Sequence, residues 1–177
     1  MKTQNVVNGL TACHDAMVAE FEKQMPWLAT VDAYEPLGGG LAVTSPAILI
    51  EAVEMHPGRR VTGGRTPIEV EFAAHCVLSV NTERVALEIR NFAALVLQIV
   101  DGNHWGLGES IERPAELAAY PGMFKPDDKG FESWVASWKQ TIHLGRPEVE
   151  PDYLPTEVLM GEYPAVGADH EDDYTQG

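Results

Sequence analysis

Histidine and cysteine side chains are the groups in this chain that could bind a metal ion, and their spacing does not favour one. The six histidines are scattered, with no HxxxH pattern and no cysteine pair at the spacing of a zinc site: they are His14, His56, His75, His104, His143 and His170. His75 and Cys76 are neighbours on a predicted strand, so their side chains point to opposite faces and cannot share one ion. Cys13 and His14 are neighbours on a predicted helix, where adjacent side chains do not face each other. We therefore expect no metal site and no cofactor.

Nucleophilic and acid–base catalysis also lack a recognisable arrangement of residues. The chain has no G-x-S-x-G motif, and Cys13 and His14 are adjacent in sequence rather than opposed across a site. Carboxylates are abundant, but nothing in their spacing selects one pair for acid–base work. We therefore expect that the protein is not an enzyme. Cys13 and Cys76 belong to no CxxC motif, so we expect reduced thiols that are buried or half-buried.

The charge of the chain is strongly acidic and unevenly distributed. Its 177 residues include 27 acidic and 12 basic ones, which gives a formal net charge of −15. Residues 146–177 hold nine acidic residues and one arginine, so nine minus one, or −8, of this charge lies there. Phosphate contacts need clustered Lys and Arg, so this composition argues against specific nucleic-acid binding and against anionic membranes.

The length and the charge distribution predict one domain followed by an extension. We expect a domain over residues 1–145 and an acidic C-terminal extension over residues 146–177. The domain is long enough to bury a hydrophobic core without disulfides or a metal ion. The first residues lack the basic and apolar regions of a signal peptide, and no apolar run reaches ~18 residues. We therefore expect a soluble protein that is made in the cytoplasm.

Arg59, Arg60 and Arg65 form the one basic concentration in the sequence, on a Gly-rich loop between two predicted strands. Three interpretations stay open: a solvated loop, a contact with an acidic surface of a neighbouring subunit, or a weaker contact with DNA that passes nearby. Of these we favour the contact with a neighbouring subunit.

The acidic extension supplies the second group of candidate interface residues. Its densest cluster lacks the central glycine and distal glutamate of a calcium loop. This leaves a solvated tail or a docking strip that gains order when it binds a partner. The candidate interface residues in the extension are Glu148, Glu150, Asp152, Glu171, Asp172 and Asp173.

Hydrophobic periodicity predicts the elements that position these clusters. Apolar residues at helical spacing predict two helices, Asn5–Gln24 and Glu83–Val100, the second with Thr82 as its N-cap. Period-two or continuous apolar runs predict strands at Ala47–His56, Thr66–Val80 and Phe131–Gly145. The first two strands flank a Gly-rich loop, so we expect a long antiparallel hairpin. Residues 27–37 are predicted to be extended, and residues 111–120 to form a short strand or an irregular crossover. Trp134 and Trp138 share one face of the last strand, where core packing is favoured over an interface role.

Six segments between Trp27 and Gly145 resemble the phage tail-terminator, or tail-completion, proteins of Mu-like and other long-tailed phages. In chain order they are SPAILIEAVEM, TGGRTPIEVEFAAHCVL, RVALEIRNFAALVLQIV, NHWGL, AYPGMF and WKQTIHLG. The resemblance implies helices packed against a mixed sheet, with the loop Pro57–Pro67 becoming ordered in a ring. The expected fold class is thus α+β: a mixed, mainly antiparallel sheet with a long central hairpin, packed against two helices and followed by an extended acidic C-terminal arm.

The function that this resemblance implies is structural. Such a protein forms a ring with itself, six-fold in this family, at the head-proximal end of the virion tail. The ring caps the tail tube, stops its polymerisation and offers a surface to the head–tail connector or neck protein, with DNA able to pass through. Three alternatives remain: a neighbouring neck or connector subunit, a small enzyme of unrecognised type, and a soluble inhibitor whose acidic extension mimics DNA.

Overall fold

A computed structural model describes residues 8–34, 43–60, 64–122, 130–145, 159–160 and 175–176. The chain divides into two compact units, Met1–Arg146 and Pro147–Gly177. In the second unit the described residues are two short strands, Leu159–Met160 and Thr175–Gln176, which pair in antiparallel orientation. The six candidate acidic residues of the extension lie outside the described residues.

The first unit contains two helices and five strands in the described ranges. In chain order these are α1 (Asn8–Gln24), β1 (Thr30–Ala33), β2 (Ala47–Pro57), β3 (Thr66–Ser79), α2 (Val85–Val100), β4 (Ala115–Pro121) and β5 (Phe131–Leu144). The strands form one sheet in the order β1-β2-β3-β5-β4. β1 runs parallel to β2, and the other pairings are antiparallel. The predicted α+β class, with a mixed and mainly antiparallel sheet packed against two helices, is confirmed.

The predicted hairpin of β2 and β3 lies at the centre of this sheet. Its register runs from Ala47 opposite Val77 to Pro57 opposite Ile68, with a bulge between Ala52 and Glu54. The other side of β3 pairs with β5 along its whole length. Two flanking partners make β3 the central strand, which agrees with its rich content of β-branched and aromatic residues.

Both helices cover one face of the sheet, because each presents an apolar stripe at helical spacing. The stripe of α2 buries Ile89, Phe92 and Val96, and that of α1 buries Met17 and Phe21. The facing side chains of the strands alternate with period two, as predicted. Those in the buried core are Ile48, Ile50, Val70, Phe72, Ala74, Cys76, Leu78, Ala136, Trp138 and Ile142.

The two tryptophans of β5 take different positions on this face. Trp138 is fully buried in the core, as predicted, and stacks on Phe72 with ring centroids 5.6 Å apart. Trp134 is half-buried, and the guanidinium of Arg90 lies 5.5 Å from its ring centroid. Trp134 therefore borders the core and is partly covered by a cation on α2.

The predicted start of α2 is wrong. The helix begins at Val85, its N-cap residue is Arg84 in a left-handed conformation (φ 54°), and no side chain caps it. Thr82 instead belongs to a tight turn, in which its N–H donates to the Ser79 carbonyl oxygen at 2.9 Å and its own carbonyl oxygen accepts from Val85 at 3.1 Å. The chain must reverse directly from β3 into α2, and backbone hydrogen bonds make this turn without a hydroxyl cap.

Candidate assembly interface

The outer half of β2 extends beyond the end of β1 while one of its edges stays paired with β3. β1 pairs only with the first four residues of β2, and the Tyr34 N–H makes one more bond, to the Ile50 carbonyl oxygen at 2.8 Å. Residues 47–50 are buried, whereas residues 52–57 are exposed. We call residues 52–60 the hairpin arm.

Two apolar side chains on the hairpin arm are about half exposed. Val53 is 50 % exposed and Met55 is 54 % exposed. Met55 pairs with Val70, which faces the core, so Met55 lies on the helix side of the sheet beyond the cover of the helices. Val53 is the extra residue of the bulge. Burying an apolar side chain is worth about 1.5–3 kcal/mol, so this pair is suited to a protein contact.

The structure separates the three arginines that the sequence groups together. Arg59 and Arg60 are exposed at the end of the hairpin arm, and within the described ranges neither makes a hydrogen bond or an ion pair. Arg65 is half-buried, and its Nη1 donates to the carbonyl oxygen of Glu109 at 3.3 Å. Arg65 thus anchors the base of the loop to the turn after α2, while the other two arginines present positive charge outwards.

An acidic surface lies beside the hairpin arm, on the sheet face away from the helices. Glu54 stands directly opposite Glu71, and like charges in such cross-strand pairs repel. Lys139 is the neighbouring cation, with its Nζ 2.7 Å from Glu116 Oε2. The hydrogen bond and charge of Glu116, together with the charges of Glu69 and Glu71, raise the pKa of Lys139. We call Glu54, Glu69 and Glu71 the acidic face.

At the opposite end of the hairpin an apolar groove opens between α2 and the start of β2. It encloses about 330 Å³. Trp27 forms one wall, 48 % exposed and packed edge-to-face on Phe92 with ring centroids 5.0 Å apart. Leu78 and Phe92, both buried, form the floor, and Glu88 contributes a carboxylate. The lining residues are Trp27, Pro46, Leu78, Thr82, Glu88, Asn91, Phe92 and Leu95.

Sequence reasoning did not find this groove. The period of α2 assigns Phe92 to the core, and the segment after α1 assigns Trp27 only to an extended stretch. The available signal was Trp27 itself, a large aromatic residue directly after Pro26 that belongs to no apolar stripe. The groove arises from the distance between α2 and β2, which depends on packing that neither segment encodes alone.

Three histidine–carboxylate pairs lie on the sheet, away from the groove. On the hairpin arm, His56 Nε2 is 3.3 Å from Glu54 Oε1. His75 Nε2 is 2.8 Å from Glu51 Oε2, and its ring stacks on Tyr34 with centroids 4.5 Å apart. His143 Nε2 is 2.9 Å from Glu112 Oε1. None of these residues lines the groove or a second cavity of about 310 Å³ between α1 and α2. In these two cavities the structure brings no pair of acid–base groups together.

The second cavity contains one titratable side chain, Glu20. The hydrogen bond from Gln24 Nε2, at 2.8 Å, lowers the pKa of this carboxyl, and Lys23 adds to the effect. The other lining residues are uncharged amides and aliphatic side chains. Glu20 and Gln24 thus form a structural i,i+4 pair on α1. One acid with a lowered pKa does not make an acid–base dyad.

Both cysteines are free and buried, as predicted. Burial raises the pKa of Cys13 to about 12 and raises that of Cys76 as well, so neither thiol is activated for nucleophilic attack. Across the described ranges, no three His, Cys, Asp or Glu side chains are grouped in a way that could hold a metal ion.

Comparison with known proteins adds no family: no family model matches the chain, and no curated protein matches it. Among the helices that the structure describes, none has the length and apolar character needed to cross a membrane.

Proposed function

We propose that this protein is a structural component of a phage virion, a tail terminator that assembles into a ring. The proposal is supported by the resemblance of residues 27–145 to tail-terminator proteins and by an α+β fold of the kind which that resemblance implies. It assigns no catalytic activity to the chain.

The observation that carries the proposal is the hairpin arm. It combines two half-exposed apolar side chains, Val53 and Met55, with the outward cations Arg59 and Arg60 on a protein of net charge −15. An exposed apolar strand end is an aggregation hazard for a protein that works alone, and it is useful to a protein that must join neighbours. Opposite charges between subunits orient such a contact and speed its formation.

In this proposal the ring, six-fold as in the family it resembles, lies at the head-proximal end of the tail. One face of the ring meets the last ring of tail tube protein and stops further polymerisation. The other face offers a surface to the neck or connector protein, and DNA passes through the centre. The acidic extension, with Glu148, Glu150, Asp152, Glu171, Asp172 and Asp173, contacts a neighbouring subunit or ring.

The oligomeric state of the purified protein tests the proposal. Light scattering over a range of concentrations, combined with negative-stain imaging, is expected to show rings. A protein that is monomeric alone is expected to form rings when tail tubes, assembled from the tube protein of the same phage, are added. A chain that stays monomeric and ignores the tubes would contradict the proposal.

Tube length distinguishes the terminator from a neck or connector subunit. A terminator added during polymerisation of tube protein should shorten the tubes and cap one end. A neck subunit should leave tube length unchanged and bind only to tubes that already carry a cap. The second result would indicate a neck subunit, which lies one layer nearer the head than a terminator.

A further inference from the structure

We infer that the hairpin arm of one copy binds in the apolar groove of a second copy, with Met55 beside Trp27 and Phe92 and with Arg60 facing Glu88. The inference rests on the proposed self-assembly and names the two surfaces that would perform it.

The two surfaces lie at opposite ends of the same hairpin. Pro46, which lines the groove, immediately precedes β2, whereas the arginines of the arm follow the last residue of β2. β2 has 11 residues. At a rise of about 3.3 Å per residue, β2 alone separates the groove from the end of the arm by roughly 36 Å. One chain cannot place its own arm in its own groove, so an arm that fills the groove must come from a second copy.

The shapes and chemistry of the two surfaces agree. The groove has room for a side chain the size of methionine, with a volume of about 330 Å³ and a wall formed by an exposed tryptophan. Methionine is unbranched and flexible, so it adapts to an irregular apolar pocket. Tryptophan is the residue type most often found as an energetic anchor at interfaces. Covering Met55 and Trp27 together would remove two of the largest exposed apolar side chains of the described residues.

Charge selects the groove over other apolar surfaces. The groove contains Glu88, and Glu83 stands exposed in the adjoining turn, so the acids outnumber Arg84 there. The arm carries Arg59 and Arg60 at its end. A desolvated pair of opposite charges at an interface fixes the register of the contact and excludes other partners.

The acidic face is the competing partner for the arginines, and its position argues against it. Glu54 belongs to the hairpin arm itself, and Glu71 is its cross-strand neighbour. A contact of the arginines with this face, which points away from the helices, would leave Met55 and Trp27 uncovered. A contact of arm with groove uses two different surfaces, so it is heterologous and can continue until a ring closes.

Disulfide trapping tests the contact directly, because the two native cysteines are buried and contribute little background. The variants Met55→Cys and Asn91→Cys are purified separately, mixed under mild oxidation with and without tail tubes, and examined on non-reducing gels. We expect a linked two-chain band in the mixture and neither variant linked alone. The double variant M55C/N91C should give a ladder of linked chains. The matched control, Ala86→Cys on an exposed position of α2 outside the groove, should not link to Met55→Cys.

A charge exchange gives a second test that does not depend on oxidation. Arg60→Glu should raise the protein concentration needed for half-assembly by about tenfold or more, and R60E/E88R should restore it, because the pair is then reversed at every contact. The control R60E/E22R, which changes an exposed acid of α1, should not restore assembly.

The outcomes separate this inference from the proposed function. Rings in images without the 55–91 disulfide would overturn the arm-in-groove contact and leave the terminator proposal intact. Linkage of Met55→Cys to itself would also overturn it, in favour of an arm-to-arm contact. A doubly linked pair that never grows beyond two chains would support the contact and contradict the ring. A chain that neither links nor assembles would overturn both.

Discussion

Trp105 donates its indole N–H to the Oε1 of Gln140 at 2.8 Å, which joins the loop after α2 to the middle of β5. The same oxygen accepts from the Trp138 indole N–H at 3.2 Å. The Gln140 Nε2 donates to two backbone carbonyl oxygens, that of Asn103 at 2.9 Å and that of Glu112 at 2.8 Å. One side chain, only 1 % exposed, therefore bonds to two indole N–H groups in the core and to two part-buried carbonyl oxygens.

Replacing Gln140 with leucine should destabilise the fold severely. The substitution replaces the amide with an apolar group of similar size. It leaves two indole N–H groups and two carbonyl oxygens without this partner. Each unsatisfied buried group costs about 1–3 kcal/mol, so we expect a loss of roughly 3–5 kcal/mol in the free energy of unfolding. Urea unfolding followed by circular dichroism measures this loss. A change below about 1 kcal/mol would mean that water or a local rearrangement replaces the amide.

Replacing Gln140 with glutamate should make stability depend on pH. A protonated carboxyl can still accept from the indoles and donate to one carbonyl oxygen, whereas a carboxylate would face two carbonyl oxygens. The folded pKa of this carboxyl would be raised above the unfolded value of about 4.3. The protonated carboxyl then stabilises the fold fully below the unfolded pKa, and this stabilisation is lost as the pH rises through the folded pKa. Unfolding curves of Q140E from pH 4 to pH 8 should lose stability relative to wild type, and parallel curves would contradict the role of the amide.

The position of Gln140 illustrates how far sequence reasoning reaches. The period of two places it on the same face as Trp134 and Trp138, which the structure confirms. Its other partners could not be predicted, because they depend on the conformation of the loop after α2. There Trp105 has a positive φ of 53°, and its N–H donates to the Asn103 side chain at 2.7 Å. Many loop sequences can form such a turn. This loop adopts it because the Trp105 ring packs on Phe21 and Trp138.

At the candidate interface, too, the local sequence pattern predicts some features, whereas others depend on long-range packing. The Gly-rich sequence predicts the hairpin and places Arg59 and Arg60 at its end. It does not predict that β1 stops at Ala33, which leaves the outer half of β2 exposed, or that Arg65 bonds to the Glu109 carbonyl oxygen. Both facts depend on contacts between distant segments, which periodicity does not record.

The thiols of Cys13 and Cys76 should be unreactive in the native protein. Burial raises the pKa of Cys13 to about 12 and raises that of Cys76, so both stay protonated at pH 8. We expect a thiol-specific reagent to modify neither residue at pH 8 without denaturant, and both in guanidinium chloride. Met55→Cys provides the control, since an exposed thiol on the hairpin arm should react at once. Rapid native modification of the wild type would show that the core opens readily.

Replacing Lys139 with methionine should destabilise the sheet in a manner that depends on salt. Glu116 raises the pKa of Lys139. The ion pair therefore stabilises the folded state below the usual lysine pKa, and this stabilisation is lost as the pH rises through the raised pKa of the folded state. Removing the cation leaves Glu69 and Glu71 to repel Glu54 and each other. The melting temperature of K139M should fall most at low ionic strength near pH 7, with a smaller difference at high salt. An equal difference at all salt concentrations would point to packing by the lysine stem instead.

Reversing the charge of the arginine loop should abolish assembly without unfolding the protomer. The triple variant R59E/R60E/R65E tests the whole loop, but it also removes the bond from Arg65 to the Glu109 carbonyl oxygen. The double variant R59E/R60E is cleaner, because within the described part of the chain neither residue bonds to the fold. We expect R59E/R60E to keep the wild-type melting temperature and circular dichroism spectrum and to form no rings by light scattering and imaging. K23E/R113E makes the same change in net charge at exposed positions elsewhere and should still form rings. Rings from R59E/R60E would show that assembly uses another surface, whereas loss of rings from both variants would mean that net charge alone prevents association.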